Sequence, residues 1–200
     1  MLLSKMNLND LATIFGSQTK AQEIFFLLHD VKDVVRQGFY DEELLLVEQF
    51  CREQHLFLVK SKFKVLLADD SDYSNKGLRI PLEDSRKGMF FVYLSKNEEK
   101  ALLASYYELV NNDTELGKLL GYPNCCIKFF CQHFGKDNPN LELLPTNLYT
   151  NLSQRHQDAV LLSHFPCRSD CPASITLAQQ YLMVLQEAEP GRADELLKLL

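Results

Sequence analysis

The chain has 200 residues, of which 46% are hydrophobic and 24% charged, an ordinary balance for one compact globular domain. Its formal net charge of −6 at pH 7 argues against general electrostatic binding to nucleic acid or to an anionic membrane surface. No apolar run approaches the roughly 18 residues that a membrane-spanning helix needs. We therefore expect a cytoplasmic protein, with small molecules and other proteins as candidate partners.

The first part of the chain is predicted to be helical. Apolar residues recur at helical spacing over residues 7–57, in TKAQEIFFLLHDVKDVVRQGF and again in EELLLVEQFCREQHLF, with Gly38 between the two patterns. Cys51 lies on the apolar face of the second pattern. Because free cysteine is among the most buried residue types, we interpret Cys51 as a core residue.

The period changes in the middle of the chain. FLVKSKFKVLLA, GLRIPL and GMFFVYLS are short segments rich in β-branched and aromatic residues. The turn-forming segment DDSDYSNKG separates the first two, and its aspartates lack the glycine and glutamate spacing of a calcium loop. This pattern predicts a small sheet of two to four strands, antiparallel, over about residues 57–95.

Helical patterns return after the sheet, in SKNEEKALLASYYELVNND, TELGKLLG, ITLAQQYLMVLQEAE and GRADELLKLL. The predicted fold class is therefore α+β, mainly helical with a small sheet in the middle. We expect residues 1–200 to form a single compact domain. Within it, residues 1–95 form the helical and small-sheet part, and residues 96–200 form a helical part that carries the cysteines.

Two motifs combine cysteine with proline, GYPNCCIKFFCQHF at residues 121–134 and HFPCRSDCPAS at residues 164–174. Proline is favoured at the first position of a helix, so Pro123 and Pro172 each predict a helix start. The unpaired N–H groups and the partial positive charge of a helix N-terminus stabilise a thiolate. Both motifs therefore indicate cysteines whose chemistry depends on the thiolate form.

The first motif places Cys125 and Cys126 in the first turn of its helix, and the second places Cys171 at the cap of the next helix. At 100° per residue, Cys131 lies roughly 120° to 140° around the helix from the adjacent pair. It shares a stripe with apolar residues, which predicts that Cys131 belongs to the core.

Four thiolates from these motifs would complete the ligand shell of a zinc ion or an iron–sulfur cluster. The candidate ligands are Cys125, Cys126, Cys167 and Cys171, and His164 is a candidate replacement for one of them. The preferred hypothesis is a cysteine-ligated metal site that is structural or serves a reaction.

Two alternatives remain open. In the first, the protein is a thiol-dependent enzyme or redox protein, with Cys126 or Cys171 as the attacking thiolate and His164 as the base. In the second, it is a non-catalytic interaction module in which the cysteines only fill tight corners. Slow alkylation of all four cysteines until a chelator is added would favour the metal site, whereas one fast-reacting cysteine would favour the enzyme.

The two motifs together resemble an uncharacterised prokaryotic family, domain of unknown function 483. The shared pattern is G-Y-P-x-C-C-x-x-x-F followed by P-C-x-x-x-C-x-x-S. The residues that carry it are Gly121, Tyr122, Pro123, Cys125, Cys126, Phe130, Pro166, Cys167, Cys171 and Ser174. The resemblance covers about residues 115–185. It implies that the four cysteines belong together, and it implies no activity.

Overall fold

The computed structural model describes residues 6–67, 77–135, 141 and 143–198. The chain divides into two compact units, one of residues 1–31 and 142–200 and the other of residues 32–141. The division at residue 95 stays a prediction. The predicted turn at residues 69–77 lies, apart from Gly77, outside the described residues.

The described residues form helices and short strands in an order that confirms the α+β class. In chain order these are α1 (Leu8–Phe15), α2 (Gln18–Leu28), β1 (Val34–Phe39), α3 (Asp41–Glu53), β2 (Phe57–Lys60), β3 (Lys64–Leu67), β4 (Gly77–Ile80), β5 (Phe90–Ser95), α4 (Glu98–Leu109), α5 (Asp113–Leu119), α6 (Asn124–His133), α7 (Pro172–Ala188) and α8 (Pro190–Lys198). In the part of the chain that is described, no helix has both the length and the apolar character needed to cross a membrane.

The strands β1 to β5 of the described residues belong to the unit of residues 32–141 and form two antiparallel sheets. In the first sheet, β5 lies between β1 and β2. In the second, β3 pairs with β4. The predicted antiparallel sheet after residue 57 is therefore confirmed, and β1 adds a strand from earlier in the chain.

The helix predicted to continue through residue 39 ends earlier. α2 stops at Leu28, and Asp30 then adopts a positive φ of 59°. Val34 and Val35 start β1 and pair with residues of β5. β-Branched residues lose side-chain freedom in a helix and pack well in a strand, so pairing with β5 outweighs the helical spacing. Gly38 lies within the strand rather than between two helices.

The unit of residues 1–31 and 142–200 joins segments that are far apart in sequence. Phe26 of α2 stacks on Tyr181 of α7 with ring centroids 4.2 Å apart. The Leu8 N–H at the start of α1 donates to Oε1 of Glu189 at 3.0 Å. Residues 149–165, YTNLSQRHQDAVLLSHF, are irregular apart from a 3₁₀ turn at Arg155–Gln157.

A buried carboxylate joins α4 to both sheets in the other unit. Glu108 has a side chain only 5% exposed and receives two hydrogen bonds from the Arg36 guanidinium of β1. Tyr93 of β5 donates its hydroxyl to the same carboxylate at 2.9 Å, and Arg79 of β4 donates to the Glu108 carbonyl oxygen at 2.8 Å. Burial alone would raise the pKa of Glu108, but the charge and hydrogen bonds of Arg36 hold it below its ordinary value.

Candidate metal centre

The Gly-Tyr-Pro segment ends α5 and begins α6. Gly121 has a φ of +77°, a conformation that favours glycine. Its N–H donates to the Lys118 carbonyl oxygen at 3.0 Å, and the Tyr122 N–H donates to that of Gly117 at 3.0 Å. These two bonds are the Schellman motif that closes many helices. Pro123 is then the N-cap of α6, so the predicted helix start is confirmed to within one residue.

The first turn of α6 carries two adjacent cysteines with different environments. Cys125 is exposed, whereas Cys126 is only 2% exposed. Their sulfur atoms lie 3.8 Å apart, well beyond the roughly 2.05 Å of a disulfide bond. Close packing of α6 on α5 fixes this turn, because a Cβ added at Gly117 would lie 2.9 Å from Cγ1 of Ile127.

The second pair of cysteines lies in a loop that hydrogen bonds anchor to an earlier segment. Cys171 is the N-cap of α7, as predicted, and is 1% exposed, while Cys167 is half-buried. The carbonyl oxygen of Ser169, between them, accepts a hydrogen bond from Nδ2 of Asn147 at 2.7 Å and another from the Thr150 hydroxyl. The loop therefore has a defined conformation.

A histidine and a serine close the same loop from its two ends. Nε2 of His164 lies 2.9 Å from Oγ of Ser174, and these residues are 5% and 0% exposed. Ser174 belongs to the first turn of α7, so this bond ties the residue before the loop to the helix after it. His164 is not part of the cysteine group described next, and its predicted role as a replacement ligand stays a prediction.

Among the described residues, four of the five cysteines in the two motifs come together in one group. The sulfur atoms of Cys125, Cys126, Cys167 and Cys171 all lie within 4.8 Å of one another. We call these four residues the cysteine group. Thiolate sulfur is the ligand that zinc and other borderline or soft metal ions prefer. The group is therefore positioned to bind a metal ion.

The two remaining cysteines lie outside the group and differ from each other. Cys51 is buried in α3, which confirms the predicted core position, and burial raises the pKa of its thiol to about 12. Cys131 is exposed, with its sulfur 3.7 Å from Oγ1 of Thr114, so the predicted core position is wrong. The reason is that α6 buries only Cys126 and Ile127, both close to its N-terminus.

The polar residues that hold the loop of Cys167 and Cys171 were not predicted from the sequence. Oδ1 of Asn147 accepts the backbone N–H groups of Tyr149 and Thr150, at 3.0 and 3.2 Å. An asparagine side chain that accepts a hydrogen bond from the backbone two residues later is typical of a turn. Asn147 was therefore the feature of the sequence from which a turn could have been predicted. It indicates a local turn but not the contact with Ser169, which is 22 residues from Asn147.

A family model matches the region that carries the cysteine group, and the family has no described activity. Residues 101–199 match the model of a family described as "Protein of unknown function (DUF483)". No curated protein and no solved structure matches the chain significantly. The matched residues include both motifs and all four members of the cysteine group. Over residues 101–199, the chain is therefore similar to the DUF483 family.

Proposed function

We propose that this protein binds one zinc ion through the four sulfur atoms of the cysteine group. The supporting observation is their spacing: all four lie within 4.8 Å of one another, and the adjacent pair is 3.8 Å apart. A tetrahedral ion with zinc–sulfur bonds of about 2.3 Å separates its sulfur ligands by about 3.8 Å. The group therefore has the dimensions expected for the ligands of one ion.

The same spacing favours a single ion over the predicted alternative, an iron–sulfur cluster. A cluster places several iron and sulfide atoms between its cysteine ligands, which spreads the cysteine sulfurs farther apart than one ion does. Four sulfurs within 4.8 Å of one another leave little room for such a core. Zinc is the common ion of closed four-cysteine sites.

Local electrostatics supports thiolate ligands at these positions. Cys126 lies in the first turn of α6, and Cys171 caps α7. The partial positive charge of a helix N-terminus favours the thiolate over the thiol. Thiolate ligands persist in a reducing compartment, so the proposal includes a cytoplasmic location.

The bound ion would stabilise the fold. A shell closed by four protein thiolates is typical of structural zinc sites, whereas catalytic sites keep an open position. Because the unfolded chain lacks a preformed site, the binding free energy would add to the stability of the folded protein.

The first test is elemental analysis of the full chain, purified untagged under anaerobic conditions, with acid-labile sulfide measured on the same sample. We expect near-stoichiometric zinc and no sulfide. The double variant Cys126→Ser/Cys171→Ser should lose the metal. The matched control Cys51→Ser/Cys131→Ser, which changes two cysteines outside the group, should retain it.

Other results would replace the proposal. Iron accompanied by sulfide would establish a cluster instead of zinc. Metal-free, folded protein would overturn metal binding and direct attention to a reactive thiolate at Cys126 or Cys171. If neither cysteine reacted fast, structural cysteines in an interaction module would remain.

A further inference from the structure

The four members of the cysteine group differ in their access to solvent. Cys126 and Cys171 are 2% and 1% exposed, and Cys167 is half-buried, whereas Cys125 is exposed. A buried ligand can leave a metal ion only if the surrounding side chains also move. An exposed ligand can leave by rotating its own side chain into water.

The backbone contacts around Cys125 favour its release from a bound metal ion. The N–H of Cys126 donates to the Pro123 carbonyl oxygen at 2.9 Å, and Ile127 packs against Gly117. Contacts of the two residues that follow Cys125 therefore help to hold the turn.

Cys125, once released from the metal, is also poorly placed to form a disulfide bond with Cys126. Neighbouring Cα atoms across a trans peptide are about 3.8 Å apart, whereas disulfide-linked residues usually have Cα atoms about 4.4 to 6.8 Å apart. A bond between Cys125 and Cys126 would require distortion of the first turn of α6. Release of Cys125 therefore leaves a thiol that can rebind.

We infer that Cys125 is a displaceable ligand, and that a small thiol takes its coordination position while the other three cysteines keep the ion. This inference rests on the proposed metal site. In the exchange, the thiol RSH loses its proton as its sulfur binds the metal. Cys125 takes up that proton as its own bond to the metal breaks, so no oxidant or reductant is needed. Three protein ligands and one exchangeable position are typical of zinc sites that act on a substrate.

Cobalt(II) is a suitable probe, because its visible and near-ultraviolet absorption reports tetrahedral geometry and the number of bound thiolates. The test compares full-length Cys125→Ala and Cys126→Ala, which remove neighbouring thiols of different exposure. We expect Cys125→Ala to bind cobalt roughly tenfold more weakly than the wild type, a loss no larger than that caused by changing an outer-shell partner of a metal ligand. Adding 2-mercaptoethanol should restore its four-thiolate spectrum.

Cys126→Ala should lose far more cobalt affinity, and 2-mercaptoethanol should not restore its spectrum. Cys131→Ala, which removes an exposed thiol of the same helix outside the group, should match the wild type. Circular dichroism identifies any variant that fails to fold. Should Cys126→Ala fail, Cys167→Ala takes its place as the less exposed ligand.

The outcomes separate the two proposals. A wild-type protein that binds neither zinc nor cobalt overturns the metal site itself. Cobalt binding that is lost equally in both alanine variants, or a Cys125→Ala spectrum unchanged by 2-mercaptoethanol, overturns the displaceable ligand and leaves the metal site standing.

Discussion

Two clusters of polar side chains in this protein differ in what can balance their charge. Around Glu108, one carboxylate receives hydrogen bonds from Arg36 and Tyr93 and faces a second guanidinium, that of Arg79. Both signs of charge come from the chain. The cysteine group contains four side chains of one kind, which as thiolates all carry negative charge.

The charges around Glu108 are balanced by side chains of the protein itself, whereas the cysteine group is suited to an added cation. Opposite charges at short range favour each other's charged forms, whereas like charges disfavour them. The Glu108 cluster therefore needs nothing beyond the folded chain. Four thiolates within 4.8 Å of one another are stable together when a cation offsets their repulsion.

The largest predicted effect is that of removing the ion. At a free zinc concentration 1,000 times the dissociation constant, binding adds about 4 kcal/mol to the free energy of unfolding. Adding a chelator should remove that contribution, as measured by urea unfolding monitored by circular dichroism. Cys126→Ser/Cys171→Ser should not respond to the chelator, and an equal response in this variant would contradict the assignment of the ligands.

Truncating the carboxylate of the other cluster should have the next largest effect. Glu108→Ala leaves Arg36 and Tyr93 without their shared partner. Because the Arg36 side chain is 31% exposed, we expect a loss of about 2 to 3 kcal/mol, at or below the lower end for a fully buried ion pair. Urea unfolding of zinc-loaded protein measures the loss. Glu99→Ala, at an exposed position of the same helix, should cost at most about 1 kcal/mol. Similar losses in the two variants would show that Glu108 is not a stabilising partner.

A smaller effect should appear in the pH dependence of stability. Arg36 lowers the pKa of Glu108 in the folded protein, so the unfolded chain binds a proton more readily. The resulting stabilisation is complete above the unfolded pKa of about 4.3 and is lost as pH falls through the lower, folded pKa.

The unfolding free energies of the wild type and Glu108→Gln should therefore converge in acid. Asp113 has the opposite effect on the pH dependence of stability, because burial and then Glu108 raise its pKa. A gap between the two proteins that stays constant from pH 7 to the acid limit of folding would argue against the charge of Glu108 as its source.

The smallest predicted effect concerns the cysteine of α6 outside the group. Cys131 is exposed and does not belong to the four ligands, so Cys131→Ser should change the free energy of unfolding by about 0.5 kcal/mol or less. Zinc content should also be unchanged. Loss of zinc in this variant would contradict the assignment of the four cysteine ligands.

Prediction from sequence succeeded where the signal is local. Gly121 and Pro123 mark the end of one helix and the start of the next, and Pro172 and Cys171 mark another start. The α+β class followed from a change of period near residue 57. These features depend on the conformations that a few neighbouring residues can adopt.

Prediction failed where burial or pairing with a distant segment decides. Val34 and Val35 fit a helical pattern but pair with β5. Cys131 fits an apolar stripe but lies on an exposed part of α6. Glu108 shares the buried stripe of α4 with Ala101 and Ala104, and that spacing could not identify its arginine partners.

By itself, the amino-acid sequence determined the helix starts that favour thiolates, the four cysteines of the family pattern and the buried position of Cys51. Tertiary structure alone decided that the four sulfurs lie within 4.8 Å of one another and that Cys125 is the exposed member. The physical reason is the distance along the chain between the residues that interact. Caps and turns depend on hydrogen bonds between near neighbours, whereas the spacing of the four sulfurs depends on residues about 40 positions apart in the chain.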